Sequence, residues 1–224
     1  MQIETMTSPL ALNAGGYLEK LRHSLAPPPP LASLPQGPEA ARFGDFQLNP
    51  GVAPLRKGPL MPAAVLVPVV SYGDGERVIL TKRQANLSNH AGQISFPGGR
   101  VDPTDADVVA AALREAEEEI GLARRHVDVI GALDPYVTGT GFAVVPVVAQ
   151  VTPGFVLKPE QGEVAEVFEV PFGFLMDERN HQRHSGIFNG VQRHWWAMPY
   201  HDYYIWGATA GMLRNLHQAL ARNV

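Results

Sequence analysis

The hydrophobic pattern changes period several times along the chain, and each change predicts an element. Tyr17, Leu18, Leu21 and Leu25 recur at helical spacing, which predicts a short amphipathic helix near the start. Prolines then crowd residues 26–62. Pro27 to Pro30 are consecutive, and Pro35, Pro38, Pro50, Pro54, Pro59 and Pro62 follow. Proline fixes φ and removes a donor, so this stretch is expected to be extended or turn-rich. Residues 1–60 read as an extension packed on a main domain of residues 61–224, with a homodimer contact as one use for it.

The main body opens with an apolar β-type run, Ala63 to Val70, followed by turn chemistry at Tyr72-Gly73-Asp74-Gly75. Arg77 to Thr81 reads as the returning strand. A short β-like piece, Gln93 to Phe96, stops at Pro97-Gly98-Gly99. A helix is expected from about Asp105 to Ile120, with Gly121 as its C-cap. Strands are expected at Val127–Leu133, Val144–Val151 and Val164–Val170. A last helix is expected from about Gly207 to Arg222, its apolar set being Trp206, Ala210, Leu213, Leu216 and Leu220. Many strands with one inserted and one terminal helix predict a mixed sheet flanked by helices.

Composition narrows the classes. Hydrophobic residues make up 45% of the 224 and charged residues 18%, which suits a packed core and excludes a disordered tail. Acidic residues number 22 against 18 basic, so no global positive excess exists to grip a nucleic-acid backbone. Cysteine is absent, which excludes disulfides, thiolate metal sites and a cysteine nucleophile and fits a reducing compartment. The most apolar early stretch, Met61 to Val70, is half a membrane span and holds two prolines. The N-terminus lacks a basic start followed by an apolar run. A cytoplasmic protein without a membrane or nucleic-acid partner is expected.

The richest chemistry lies in Arg114-Glu115-Ala116-Glu117-Glu118-Glu119-Ile120-Gly121-Leu122. At roughly 100° per residue, Glu118 and Glu119 fall about 60° and 40° to either side of Glu115, so three carboxylates share one helix face. Val109, Leu113, Ala116 and Ile120 form the neighbouring apolar face. Like charges at i, i+3 and i+4 repel, and acids near a helix C-terminus oppose its dipole. A cation between them relieves both costs, and hard oxygen donors suit magnesium or manganese.

Gly98-Gly99, a loop acid and this helix together resemble the Nudix box. That box runs Gly, five residues, Glu, seven residues, Arg-Glu, an apolar residue, any residue, Glu-Glu, any residue, Gly and an apolar residue. Gly99, Arg114, Glu115, Ala116, Glu118, Glu119, Gly121 and Leu122 match. Asp105 stands where the box has its first Glu, but eight residues separate it from Arg114. One extra residue turns a helix by about 100°, so it must be absorbed in the loop before the helix.

The stretch from Ile79 to Gly99 is similar to the signature that precedes the box in coenzyme A diphosphatases. That signature runs Leu-Leu-Thr-x-Arg, Ser or Ala, three residues, Arg, three residues, Gly, three residues, Phe-Pro-Gly-Gly. Leu80, Thr81, Arg83, Gly92 and Phe96 to Gly99 fit its register. Val137-Thr138-Gly139, Pro146 within Val144–Val148, and Trp206 to Ala210 also resemble that group. Three positions depart: Ile79 for Leu, Gln84 for Ser or Ala, and Ser88 for Arg. If that Arg contacts a substrate phosphate, its loss removes a charge-assisted bond of about 1.5–3 kcal/mol.

The resemblance implies an α+β Nudix fold, a mixed sheet between helices (α/β/α) with a Pro-rich, partly helical N-terminal extension. It implies hydrolysis of the diphosphate bond of coenzyme A or acyl-coenzyme A to 3′,5′-ADP and 4′-phosphopantetheine or its acyl form. Glu115, Glu118, Glu119 and the Gly99 carbonyl are the implied ligands of magnesium or manganese, and Arg114 orients the carboxylates. A general base comes from Glu118 or from an acid outside the box. Of Glu160, Glu163 and Glu166, Glu163 is preferred. Arg83, His90 and Gly98 are the expected substrate contacts. ADP-ribose or a dinucleotide polyphosphate is the alternative substrate, and a non-catalytic nucleotide sensor the alternative class. His90, His181, His184, His194 and His201 show no zinc spacing. Ser95 and Ser185 lack a nucleophile-elbow context. Trp195, Trp196, Tyr203, Tyr204 and Trp206 are expected to pack in the core or to stack on a substrate.

Overall fold

A computed structural model describes residues 16–52, 58–85 and 92–222. In chain order its elements are α1 (Gly16–Ser24), β1 (Phe43–Gly44), β2 (Met61–Tyr72), β3 (Gly75–Arg83), β4 (Ile94–Ser95), β5 (Gly98–Arg100), α2 (Val108–Ile120), β6 (Val127–Ala132), β7 (Tyr136–Val137), β8 (Phe142–Val151), β9 (Val164–Pro171), α3 (Phe172–Leu175), β10 (Gln182–Phe188), β11 (Val191–Tyr200), β12 (Tyr203–Trp206) and α4 (Ala208–Ala221). Short 3-10 turns punctuate the proline-rich segment.

Nine strands form a mixed sheet in the order β1-β7-β8-β2-β3-β4, with β5 on β2, β6 on β8 and β9 on β3. The β1/β7 and β2/β8 pairs are parallel and the others antiparallel. Its central strand β2 is a continuous apolar run because both its faces are covered. Ala63, Val67 and Val69 enter one core with α1 and α4, whereas Ala64, Leu66 and Val70 enter the other with α2. The expected layering of helix, mixed sheet and helix is therefore present.

The split partnership of β2 places the site. Its first half pairs with β5 through Ala63 to Val65, and its last residues, Val69 to Tyr72, pair with β3. Between them the Leu66 N–H reaches the Pro97 carbonyl. Strands repeat every two residues, so Pro68 lacks its N–H on that same side, in the gap where no strand pairs. A proline there costs no ladder bond.

Helix α2 begins at Val108, three residues later than the pattern predicts. Asp107 is its N-cap, accepting the Ala110 N–H at 2.8 Å. Asp105 instead closes a turn before the helix, its N–H donating to the Asp102 carbonyl and its carboxylate accepting the Asp102 N–H. The extra residue of the box is absorbed in that turn. Gly121 ends the helix with φ of 68°, the left-handed cap its position predicts.

Two expectations need correction. The last helix starts at Ala208, and Trp206 belongs to β12 rather than to the helical apolar set. Residues 182–206 form a second, three-stranded sheet, β10-β11-β12, which the pattern did not predict. Its inner face carries Met198 and Ile205, both fully buried, with Trp196 and Tyr203 against the same core. Trp195, Tyr204 and Trp206 gather on its other face, with rings 5.6 to 6.1 Å apart. The aromatic residues thus divide between core and surface.

The described part of the N-terminal segment lies against this body. Tyr17, Leu18 and Leu21 enter the core shared with α4, and β1 extends the large sheet through β7. Arg22 pairs with Asp128 of β6 at 2.7 Å, and Asn49 bonds both the N–H and the carbonyl of His194.

Candidate active site

The box helix turns its carboxylates toward the glycine strand β5. Glu119 is 5% exposed, and its Oε2 accepts the Gly98 N–H at 3.1 Å. Burial is the main cause that pushes its carboxyl up to about 7, opposed by that bond and by Arg83. The Arg83 guanidinium, at the end of β3, lies 3.6 Å from Glu119 Oε1. Glu115 is half-buried, and burial raises its carboxyl too, against the pull of Arg114. A Cβ on Gly99 would stand 2.5 Å from the Glu115 carboxylate, so any larger residue there would push that carboxylate aside. Glu118 is exposed.

Arg114 ties the box together. Its Nε and Nη2 donate to the two oxygens of Asp105 at 3.0 and 2.9 Å, and Nη2 also reaches the Arg100 carbonyl at 3.1 Å. Its Nη1 donates to Glu115 and to Glu118, both at 2.9 Å. The paired guanidinium holds the Asp105 carboxyl below its ordinary value. Asp105, one residue out of register with the box's first acid, thus anchors the arginine that also bonds Glu115 and Glu118.

A third element closes the site. After α2 the chain returns across the helix end: Lys158 N–H donates to the Ile120 carbonyl and Glu160 N–H to the Glu119 carbonyl, both at 2.8 Å. These bonds satisfy carbonyls that a helix end otherwise leaves open. Glu163 stands in an exposed turn at the start of β9, near enough to raise both Glu115 and Glu119. Glu160 serves the helix end through its backbone. Glu166 is turned to Tyr203, whose hydroxyl donates to it at 2.5 Å while the ring stacks on Phe168.

Of the expected residues, Arg83, Gly98, Gly99, Arg114, Glu115, Glu118, Glu119 and Glu163 gather around one end of α2. His90 and Ser88 lie outside the described residues. Asp105 and Gln84 stand within the two motifs, but the motifs alone gave neither a role at the site. A small cavity of about 80 Å³ lined by Asp45, Phe46, Thr138, Gly139 and Arg193 lies beside β7 and includes none of the carboxylates of the box helix.

The donor chemistry fits a hard divalent cation. Glu119 is a desolvated carboxylate whose partners are one N–H and a guanidinium beyond hydrogen-bond reach. Glu115 is shelved over a glycine beside it, and burial, with like charges adding to it, drives both carboxyls upward. Such a group favours whatever neutralises it. Among the described residues, no three acids or histidines stand together as a metal-holding cluster, and Arg114 holds Glu115 and Glu118.

Comparison with known proteins agrees with this geometry. The model of the NUDIX domain matches residues 61–190, from the start of β2 into the β10–β11 hairpin. The chain belongs to the Nudix hydrolase family. It is 45% identical over 154 residues to the uncharacterized Nudix hydrolase NudL of Cronobacter sakazakii, covering 69% of this chain and 80% of that protein. The NudL of Escherichia coli O157:H7 is 42% identical over the same shares. Among solved structures, the MutT protein of Methanosarcina mazei Go1 aligns over 75% of this chain and 97% of its own, at 18% identity and a TM-score of 0.47. As a Nudix hydrolase the protein acts on a small nucleotide diphosphate derivative, in a family that uses divalent metal ions. No helix among the described residues is long and apolar enough to cross a membrane.

Proposed function

We propose that this Nudix hydrolase is a coenzyme A or acyl-coenzyme A diphosphatase, releasing 3′,5′-ADP and 4′-phosphopantetheine or its acyl form. The observation that carries the reading is the register from Leu80 to Gly99. Its two ends support it: Arg83 and Gly98 both turn to Glu119, so the signature and the box share one carboxylate.

Glu115, Glu118, Glu119 and the Gly99 carbonyl would hold magnesium or manganese. When bound, that ion neutralises charge on diphosphate oxygens and makes a bound water more acidic. Arg114 keeps Glu115 and Glu118 at a fixed spacing. Glu163 accepts the proton of the attacking water as its oxygen bonds to phosphorus and the P–O bond to the leaving phosphate breaks. Arg83 and His90 contact the anionic substrate, and the Gly98 backbone lets it approach.

Gln84 and Ser88 favour a second reading, a Nudix hydrolase of ADP-ribose or a dinucleotide polyphosphate. A sensor without activity is disfavoured by the full set Glu115, Glu118 and Glu119. Product analysis on coenzyme A, acetyl-coenzyme A, ADP-ribose and diadenosine polyphosphate, with magnesium or manganese, tests these readings. Fastest release of 3′,5′-ADP from a coenzyme A substrate supports the first. Faster cleavage of ADP-ribose or the dinucleotide replaces it with the second.

A further inference from the structure

Gln84 departs from the signature and takes no part in the reaction above, yet it reaches the turn that carries Glu163. Its N–H donates to the Glu163 carbonyl at 2.9 Å, and its side-chain Nε2 donates to the Gln161 carbonyl at 3.0 Å. A Ser or Ala here keeps the first bond and is too short for the second. The other end of the turn is fastened to the box helix, since Glu160 N–H donates to the Glu119 carbonyl. Inside the turn, the Glu163 and Val164 N–H groups both donate to the Glu160 carbonyl, at 2.9 and 2.8 Å.

Residues 160–163 are exposed, so hydrogen bonds rather than packing place them. The turn bridges the end of α2, which carries Glu119, and the end of β3, which carries Arg83. Gln84 fastens the β3 end. Removing one side-chain bond from such a turn loosens its position and leaves the core untouched.

We propose that Gln84 is a positioning residue: it latches the 160–163 turn to β3 and thereby holds Glu163 against Glu115 and Glu119. The inference rests on Glu163 being the base of the proposed hydrolysis. It gives the departure at this position a purpose, because a chain with Ser or Ala must hold the turn by other means.

The test compares Gln84→Ser, Gln84→Met, Glu163→Gln and the double variant Gln84→Ser/Glu163→Gln. Turnover is read on whichever panel substrate the full chain hydrolyses, and amide hydrogen exchange over residues 158–164 is read separately. Both Gln84 variants should lose roughly tenfold in kcat with KM within about twofold, because a displaced base costs turnover rather than binding. Their turn amides should exchange faster at an unchanged melting temperature, and the double variant should be no slower than Glu163→Gln. Unchanged exchange in Gln84→Ser overturns the latch even if no substrate is found. Unchanged kcat in Gln84→Ser beside a slow Glu163→Gln overturns the latch and leaves the base. Losses that multiply in the double variant overturn it as well, because Gln84 then acts elsewhere. A silent Glu163→Gln overturns the base and the latch together.

Discussion

Glu119 sits almost wholly buried at the end of a helix, the end where the dipole disfavours an acid, with Glu115 and Glu163 adding negative charge. Burial raises its carboxyl from 4.5 to about 7. Between those values the native protein binds more protons than the unfolded chain, so stability falls as pH rises and the full cost is present above 7. Glu119→Gln keeps an acceptor for the Gly98 N–H and removes the charge. At pH 8 without metal, its unfolding free energy should rise by about 1–3 kcal/mol, read by urea titration. Diphosphate hydrolysis should fall by roughly a thousandfold in the same variant. A loss of both stability and activity would show that the carboxylate is well compensated as it stands. The carboxylate trio was legible from spacing alone, since i, i+3 and i+4 share a helix face. The rank among its members was not. Burial separates Glu119 from Glu118, and burial depends on β5, a three-residue strand that pattern cannot predict.

At the scale of elements, the apolar pattern located β2, β3, β6, β8, β9 and both long helices, because the strands carry apolar runs and each helix an apolar stripe. It failed on the second sheet, β10 to β12. Gln182 to Ser185 is polar on both faces and Ile187 and Phe188 are exposed, so no buried alternation marks β10, and the buried residues of that sheet are concentrated in Ala197, Met198 and Ile205. It also began α2 at about Asp105, three residues before the helix starts at Val108. Asp107, not Asp105, makes the capping bond. The two aspartates are therefore predicted to separate cleanly. Asp107→Ala should cost about 0.5–2 kcal/mol of stability and leave turnover unchanged, because it touches only the first turn. Asp105→Ala releases Arg114 from its bidentate partner and should lower kcat about tenfold or more through Glu115 and Glu118. Chemical denaturation and steady-state kinetics on the pair check this, and a kinetic defect in Asp107→Ala would refute the assignment.

For the whole molecule, the N-terminal helix supplies core to the catalytic body. Leu21 is fully buried among residues of α3, α4 and the large sheet. Leu21→Ala should therefore destabilise the Nudix domain by about 2–5 kcal/mol, as a core truncation does, instead of the negligible amount a detached arm would show. A single cooperative denaturation curve with a lowered midpoint is the expected result. The opposite side of this core offers a pH-dependent measurement. His181 follows the 3-10 turn Glu178–Asn180 that comes after α3, and its Nε2 lies 2.7 Å from the Leu175 carbonyl. His217 of α4 meets it edge-on at 5.2 Å. Burial depresses both imidazoles, with Arg214 adding to the effect and Glu178 opposing it. Below the ordinary value of 6.5 the unfolded chain takes up protons that the native pair resists. Their stabilising contribution is thus complete above 6.5 and is lost as pH falls toward the lower native values. Glu119 titrates in an overlapping range with the opposite sign, so the raw pH curve mixes the two. The difference between the parent and His217→Gln removes that overlap. It should shrink as pH drops from 7 to 5.5, and a difference that stays flat would mean that burial does not depress the His217 imidazole.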